Sequence, residues 1–318
     1  MENLMNSVHR TPLKQSATLN RVTGRQVFLK MENLQRTGSF KLRGALNKIS
    51  SLTEEESSRG IVCASAGNHA QGVALGASQR GIPAKIFMPK RTPSAKVEAT
   101  KEYGAEIILT GETYQESYKA AREDMLASGS TFVHAFDDPK VIAGQGTIAL
   151  EMMQQCQDLE VIVVPVGGGG LIAGMATAIK AFNPSIKIIG VQSMGAPATY
   201  NQFTGKNSGS LSQVHSIADG ILVKEPGKLT YPIIERLVDD MVTVNDEEIA
   251  YTIMFMLQRE KTLVEGAGAA AVASILCNKL GWHGRKVGCV VSGGNVDLNK
   301  LSLYKELSKR IKLLQHIG

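Results

Sequence analysis

Cysteine, aromatic residues and clustered charge are all scarce in this chain. Its 318 residues include four cysteines and one tryptophan, and aromatic residues make up 5%. No two cysteines form a CxxC pair and none has a histidine at metal-ligand spacing, so neither a disulfide framework nor a zinc site is expected. The formal charge of +6 is spread out, without a run of five basic residues or interleaved aromatics. We therefore expect no metal and no nucleic-acid partner.

The sequence also lacks an apolar leader and an uninterrupted membrane span. Glu2 stands near the start, and no hydrophobic stretch of the signal-peptide type follows it. Residues 161–179 form an uncharged run of membrane-spanning length, but Pro165 and four consecutive glycines interrupt it. Such a run is typical of a buried strand, a turn and a helix. We expect a cytoplasmic protein without membrane contact, whose cysteines stay reduced.

Short apolar runs alternate with helical patterns, which indicates an α/β fold with mostly parallel strands and crossover helices. The predicted strands are residues 27–31, 60–64, 85–88, 106–109, 132–135, 161–166, 187–191, 241–244 and 286–291. The clearest predicted helices are residues 114–126, 142–155, 247–260, 268–280 and, at the end, 305–315. Evenly spaced units over residues 54–138 predict a small domain inserted into a larger one made of residues 1–53 and 139–318.

The most informative turn is a run of four glycines, Gly167, Gly168, Gly169 and Gly170, between a predicted strand and an apolar helix. Backbone N–H groups converge at such a helix start and favour a phosphate. A dinucleotide fingerprint would need another glycine where Ile172 or Ala173 stands, and no Gly-Lys-Ser or Gly-Lys-Thr occurs. The glycine turn, residues 167–170, is therefore predicted to bind the phosphate of a ligand smaller than a dinucleotide.

Two more predicted strands end in polar turns. The Ser65 turn, residues 65–69, is Ser-Ala-Gly-Asn-His, and it could either cap a helix or cradle a carboxylate. The Ser292 turn, residues 292–295, is Ser-Gly-Gly-Asn, and it could either be a tight turn or offer a hydroxyl to a ring nitrogen. Ligands of open α/β sheets bind beyond the carboxyl ends of strands, so all three turns are candidates for one site.

Lys41 gains its interest from these neighbours, since a helix lysine is ordinarily exposed. It follows Gly38, Ser39 and Phe40, and Ser39 is expected to cap the helix that Lys41 opens. Taken together, these features resemble the fold-type II pyridoxal-phosphate enzymes, specifically the serine/threonine dehydratases of the short catabolic kind. The matching blocks, in chain order, are residues 38–44, 65–69, 165–171, 218–220, 265–268 and 292–295.

The resemblance implies the fold, two open twisted and mostly parallel sheets with flanking helices, and the cofactor, pyridoxal 5'-phosphate. It implies that Lys41 carries the cofactor as a Schiff base and exchanges protons at the substrate Cα. The other implied cofactor contacts are Phe40 beside the ring, Asn68 on its phenolic oxygen, Gly167, Gly168, Gly169, Gly170 and Leu171 on the phosphate, Gly220 through its backbone, and Ser292 at the ring nitrogen. The implied substrate contacts are Ser65, Ala66, Gly67, Asn68 and His69.

The implied reaction is the dehydration and deamination of L-threonine, and of L-serine, to a 2-oxo acid and ammonia. Ser292 has a chemical consequence here, because a serine does not keep the ring nitrogen protonated as an aspartate would. A weaker electron sink favours rapid β-elimination over a long-lived carbanion. The resemblance also implies a homodimer or homotetramer. The stretch after Asn295 is short, so feedback by isoleucine is not expected.

Several alternatives stay open. A serine racemase of the same family is the nearest, but such racemases carry a second serine where this chain has Ala66. They also tend to place acidic metal ligands where this chain has Gln192, Ala196 and Ala198, so a divalent cation is not expected there. Sulfide-using synthases have a different lysine block. A non-catalytic binding protein or a dehydrogenase is a more remote alternative, and the missing dinucleotide fingerprint disfavours the dehydrogenase.

Overall fold

The computed structural model describes residue 4 and residues 7–206, 209–281 and 284–311. In this part of the chain ten strands form two sheets. The strands are β1 (Leu13–Gln15), β2 (Gln26–Met31), β3 (Ile61–Ala64), β4 (Ala84–Met88), β5 (Glu106–Leu109), β6 (Thr131–Phe132), β7 (Val161–Pro165), β8 (Lys187–Ser193), β9 (Asp240–Val244) and β10 (Lys286–Val291).

Helices follow or precede nearly every strand of the described chain. They are α1 (Ala17–Thr23), α2 (Lys41–Ser50), α3 (Glu54–Ser58), α4 (Asn68–Arg80), α5 (Ser94–Lys101), α6 (Tyr114–Ser128), α7 (Pro139–Gln155), α8 (Gly170–Phe182), α9 (Ala198–Phe203), α10 (Thr230–Leu237), α11 (Asp246–Phe255), α12 (Gly266–Leu276) and α13 (Leu301–Ser308). None of these helices is long and apolar enough to cross a membrane.

The larger sheet has the strand order β1-β2-β10-β7-β8-β9, and the smaller one has the order β5-β4-β3-β6. Strand pairing is parallel throughout except between β1 and β2. The inner strands β3 and β7 are buried along their whole length, as expected for parallel strands with helices on both faces. The predicted fold class, two mostly parallel sheets with flanking helices, is confirmed.

Helix α2 lies where the two sheets meet, and it packs against α4 of the smaller sheet and α7 of the larger one. Glycines permit this close approach. A Cβ added to Gly72 of α4 would lie 3.1 Å from the backbone nitrogen of Leu42, and one added to Gly144 of α7 would lie 2.5 Å from the carbonyl oxygen of Arg43. The first turn of α2, which begins at Lys41, is therefore held from both sides.

The structure corrects several predicted boundaries. The strand predicted at residues 132–135 ends at Phe132, because the chain turns at His134, whose ring accepts backbone N–H groups. The helix predicted at residues 268–280 ends at Leu276, and Asn278 takes a left-handed conformation. The helix predicted at residues 247–260 is α-helical to Phe255 and then continues as one π-helical turn. Strand β1 was not predicted.

Other predictions hold. The uncharged run at residues 161–179 is strand β7, the glycine turn and most of α8, as the interrupting glycines indicate. The terminal helix predicted at residues 305–315 is present as α13, but it begins earlier, at Leu301, and ends at Ser308; residues 312–315 lie outside the described residues. All four cysteines are free.

Candidate active site

The glycine turn and the Ser292 turn follow the neighbouring strands β7 and β10 of the larger sheet, and the Ser65 turn follows β3 of the smaller one. Side-chain bonds join two of these turns across the sheets. Asn295 Nδ2 donates to Asn68 Oδ1 at 2.8 Å. The carboxyl end of β3 in the smaller sheet therefore lies next to that of β10 in the larger one, and the space between the three turns is here called the cleft.

Lys41 lies beside the Ser292 turn, at the start of α2. Its Nζ donates to the carbonyl oxygen of Ala135 at 3.0 Å and stands 5.2 Å from the centre of the Phe40 ring. Burial lowers the pKa of Lys41 to about 8, while the carboxylate of Glu265 raises it. An amine with such a pKa carries a useful neutral fraction near pH 7, which is the form that can act as a nucleophile or a base.

Helix α2 begins at Lys41 without the predicted side-chain cap. Phe40 occupies the position before the helix in a helical conformation, and its N–H donates to the carbonyl oxygen of Ser292 at 3.1 Å. The hydroxyl of Ser39 is buried without a partner, because its backbone bridges to Gly293 instead of turning toward the helix. The expected cap was wrong, and the Ser292 turn holds the helix start in its place.

The glycine turn presents a row of unused donors. The N–H groups of residues 167–171 donate to no acceptor among the described residues, although Gly168, Gly169, Gly170 and Leu171 are buried. Gly169 takes a left-handed φ of 91°, which favours glycine. Unsatisfied buried donors are costly unless a ligand accepts from them, so this turn has the donors that could hold an anion at the start of α8.

Protein atoms enclose the same turn from behind. A Cβ added to Gly168 would lie 2.5 Å from the Phe136 ring, and one added to Gly170 would lie 2.9 Å from the Phe136 carbonyl oxygen. A Cβ on Gly169 would lie 2.7 Å from Ile234. The glycines are therefore needed for packing as well as for donor geometry.

The Ser65 turn contains a fixed amide. Asn68 Nδ2 donates to Glu265 Oε1 at 2.7 Å, and the bond from Asn295 satisfies Asn68 Oδ1. One Nδ2 hydrogen of Asn68 remains for a ligand. Burial raises the pKa of Glu265 to about 7, and the bond from Asn68 lowers it. Gly67 differs from the glycine turn, because no described residue other than its chain neighbours lies within 4 Å of a Cβ added there.

The remaining predicted site residues divide into two groups. Ser292 is 2% exposed at the end of β10, and Gly220 lies in a short 3-10 turn, where an added Cβ would be 3.6 Å from Glu265 Oε1. The His69 side chain is directed into the protein, where Nε2 lies 2.9 Å from the Val133 carbonyl oxygen. Burial lowers the pKa of His69 to about 3, so the ring is neutral and can contribute to the site through its backbone N–H. Ala66 brings no proton-exchanging group.

Sequence reasoning missed a buried ion cluster behind Lys41. Arg43 donates to Glu32 at 2.8 Å and to Glu151 at 2.6 Å, and Lys30 Nζ donates to Glu151 at 2.6 Å. All four side chains are at most 4% exposed. Arg43 lies two residues after Lys41, so the cluster ties the first turn of α2 to β2 and α7. The apolar spacing of α2 and α7 gave no signal for it, since buried ion pairs are invisible to periodicity.

Glu265 and Asn295 were present in the matched sequence blocks but were not predicted as site residues. Their importance is geometric, because both contact Asn68 across more than 190 positions of sequence. The Ala135 carbonyl was not predicted either, since no sequence pattern shows which backbone oxygen meets a lysine.

Comparison with known proteins identifies the class of this site. A family model described as "Pyridoxal-phosphate dependent enzyme" matches residues 4–293, and the chain belongs to this family. An L-threonine ammonia-lyase of Thermotoga maritima is 53% identical over 298 residues, which are 94% of this chain and 74% of that protein.

Two solved structures are similar over nearly the whole fold. The processed form of threonine deaminase isoform 2 from Solanum lycopersicum has a TM-score of 0.92 at 38% identity, and the match covers 95% of this chain and 84% of that one. The serine racemase of maize has a TM-score of 0.91 at 37% identity, with coverage of 97% and 95%. Dependence on pyridoxal phosphate follows from the family, and the unused N–H donors of the glycine turn fit its phosphate group.

Proposed function

We propose that this protein is a threonine ammonia-lyase that converts L-threonine, and L-serine, to a 2-oxo acid and ammonia. The observation that carries the proposal is the placement of Lys41, with a pKa lowered to about 8, in one cleft with a phosphate cradle and with Asn68. The relatives named threonine ammonia-lyase and threonine deaminase support the choice of substrate.

The residues of the cleft divide the work of holding the cofactor. The N–H groups of residues 167–171 would donate to the phosphate oxygens, and the free Nδ2 hydrogen of Asn68 would donate to the phenolic oxygen. Phe40 would lie beside the ring, Gly220 would contact the cofactor through its backbone, and the Ser292 hydroxyl would serve the ring nitrogen. When bound, pyridoxal phosphate supplies the electron-withdrawing ring that makes the Cα proton acidic and allows a β-hydroxyl to leave.

Lys41 is proposed to anchor the cofactor and then to take the Cα proton on Nζ. The low pKa allows the released amine to be neutral, and the Ala135 carbonyl gives Nζ an orienting acceptor. The free N–H groups of Ala66, Asn68 and His69 bind the substrate carboxylate. Gripping this carboxylate sets the rotation about Cα and therefore the direction of the bond that breaks.

Racemisation is the second candidate, because the maize serine racemase has nearly the same fold. A racemase needs a proton donor on the face opposite to Lys41. Ala66, in the Ser65 turn, lacks any such group, so elimination is favoured over return of the proton.

The test is product analysis of the purified protein. We expect 2-oxobutanoate from L-threonine and pyruvate from L-serine, each in step with ammonia, and no comparable formation of D-serine. Lys41→Ala should lower ammonia release by about 10²–10⁴-fold, the usual contribution of a positioned proton carrier, and should abolish the borohydride-reducible adduct. Lys48→Ala, a change of the same kind on the outer part of α2, serves as the control. A Lys41→Ala protein with normal turnover would refute the assignment.

The proposal includes the setting of the enzyme. We propose a cytoplasmic homodimer or homotetramer in which residues 54–138 form a small domain inserted into a larger one. Three of the four free cysteines are buried, which agrees with a reducing compartment. Light scattering after size exclusion would give the oligomeric state, and limited proteolysis between the two sheets would test the boundaries.

A further inference from the structure

Residues 134–137, here called the connector, contact Lys41 and the glycine turn at the same time. They lie between β6 of the smaller sheet, which ends at Phe132, and Asp138, the residue before α7. The Ala135 carbonyl accepts from Lys41 Nζ at 3.0 Å. The Phe136 ring fills the space over Gly168 that a side chain there would need. The position of this short segment therefore affects both the proposed anchor of the cofactor and its phosphate site.

The connector is held in shape by its own first residue. His134 Nδ1 accepts from the N–H groups of Phe136 at 3.2 Å and Asp137 at 2.8 Å. Burial lowers the pKa of His134, Asp137 raises it, and the charge of Lys41 lowers it. The two accepted bonds require a lone pair on Nδ1, which assigns the proton of the neutral ring to Nε2. These two hydrogen bonds to the His134 ring fix the conformation of the connector.

Asp137 links the connector to the start of α10 by hydrogen bonds. Its carboxylate accepts from the N–H groups of Lys228 at 3.0 Å, Leu229 at 2.9 Å and Thr230 at 3.2 Å. These donors belong to the start of α10, where a carboxylate is favourable because the first N–H groups of a helix have no partner within it. Bonds of N–H groups to a charged acceptor are stronger than neutral ones.

Thr230 then connects α10 to the glycine turn. Its hydroxyl donates to the Gly168 carbonyl oxygen at 2.6 Å, and the N–H of Gly227 lies 3.3 Å from the same oxygen. The carbonyl of Gly168 and the N–H of Gly169 belong to one planar trans peptide, so they point in opposite directions. Holding the carbonyl on the α10 side turns the N–H of Gly169 to the other side, toward the proposed phosphate.

We propose that Asp137 is a positioning residue for the phosphate cradle. It fixes the first turn of α10, Thr230 fixes the Gly168 carbonyl, and the peptide plane then aims the Gly169 N–H at the phosphate. The inference rests on the use of pyridoxal phosphate described above. Asp137 does not touch the cofactor in this role, so its removal weakens the hold on the phosphate and leaves the hold on the ring intact.

The test compares cofactor binding with and without the phosphate group. The full chain, stripped of cofactor, is titrated with pyridoxal phosphate and with pyridoxal, and inorganic phosphate is used as a competitor. We expect Asp137→Asn to lower the affinity for pyridoxal phosphate by about tenfold or more, because an amide cannot accept from three N–H groups as a carboxylate does. The affinity for inorganic phosphate should fall by a similar factor, and the affinity for pyridoxal should change by less than about twofold.

Asp138→Asn is the matched control. Asp138 is the next residue, but its carboxylate caps α7 through Lys140 and Val141 and pairs with Lys48 at 2.9 Å. The same chemical change there should leave the affinity for pyridoxal phosphate within about twofold of the wild type. Thr230→Val removes only the hydroxyl that holds Gly168, and it should reproduce the phosphate-selective loss even if the Asp137 variant fails to fold.

Each contrary result has a distinct meaning. Wild-type affinity in Asp137→Asn, or an equal loss for pyridoxal and pyridoxal phosphate, would overturn the proposal. Wild-type affinity in Thr230→Val would overturn the route through Gly168. A wild-type chain that bound no pyridoxal phosphate would overturn the proposed function itself, and this inference with it.

Discussion

The glycine turn and the Ser65 turn both stand at strand ends beside Lys41, yet glycine serves opposite purposes in them. Behind Gly168 the Phe136 ring leaves no room for a Cβ, whereas in the described part of the chain only the neighbours of Gly67 lie within 4 Å of a Cβ added there. The first glycine is required by protein packing, whereas the surrounding protein would accommodate a side chain at the second. The contrast indicates a rigid cradle for a group that stays bound and an open one for a group that comes and goes.

The environment of the Lys41 amine depends on both turns. Glu265, which accepts from Asn68 of the Ser65 turn, raises the pKa of Lys41, and Ala135, next to the residue that covers Gly168, accepts from its amine. The pKa and reactivity of this amine therefore report on both turns.

The largest expected effect is on the reactivity of Lys41 in the chain stripped of cofactor. Enclosure between the turns lowers its pKa to about 8 from the ordinary 10.5. Only the neutral amine reacts, so its acylation rate should rise with pH and level off above pH 8. At pH 7 the neutral fraction should exceed that of a lysine in a short peptide by roughly two orders of magnitude. Mass spectrometry of the Lys41 peptide measures the rate.

The Glu265→Gln variant sharpens this measurement, because removing the carboxylate should lower the pKa of Lys41 further and shift the profile to lower pH. A Lys41 profile centred near pH 10.5 would show that the amine is open to solvent and that the two turns do not enclose it.

The second expected effect is that of Gly168→Ala, which places a Cβ against the Phe136 ring. Overpacking of this kind costs about 1–3 kcal/mol, so the melting temperature should fall, and the displaced cradle should bind pyridoxal phosphate less tightly. Gly281→Ala is the control, because an added Cβ there meets no atom of the described residues beyond its chain neighbours within 4 Å. Equal stability of the two variants would remove the distinction between a packed and an open turn.

Much of this fold was predictable because parallel strands are short apolar runs with glycine or polar turns at their ends. The candidate site was predictable for the same reason, since β3, β7 and β10 each deliver a turn to the cleft. The hydrogen-bond and ion-pair partners of the site residues could not be predicted from the sequence. The bond between Asn68 and Glu265, like the cluster of Arg43 with Glu32 and Glu151, depends on which helices meet in space.

Two local predictions failed for identifiable reasons. The strand predicted to reach Ala135 stops early because His134 can accept two N–H groups that a strand would use elsewhere. The expected cap at Ser39 failed because backbone pairing with Gly293 decides the path of the chain before α2. In both cases a side chain or a distant segment outweighed the local preference.

The smallest expected effect is that of Gly67→Ala, and it decides whether the Ser65 turn is an open cradle. Gly67 has φ −138°, which is ordinary for any residue, and an added Cβ meets no protein atom. Stability should therefore stay within about 0.5 kcal/mol of the wild type, and the affinity for pyridoxal phosphate should not change. The methyl group should instead weaken binding of the substrate carboxylate by about 1 kcal/mol, which raises KM about fivefold. Steady-state kinetics with L-threonine, beside thermal unfolding of the same protein, separates these effects. An unchanged KM would mean that the carboxylate binds elsewhere, whereas a fall in stability like that of Gly168→Ala would mean that the turn is packed after all.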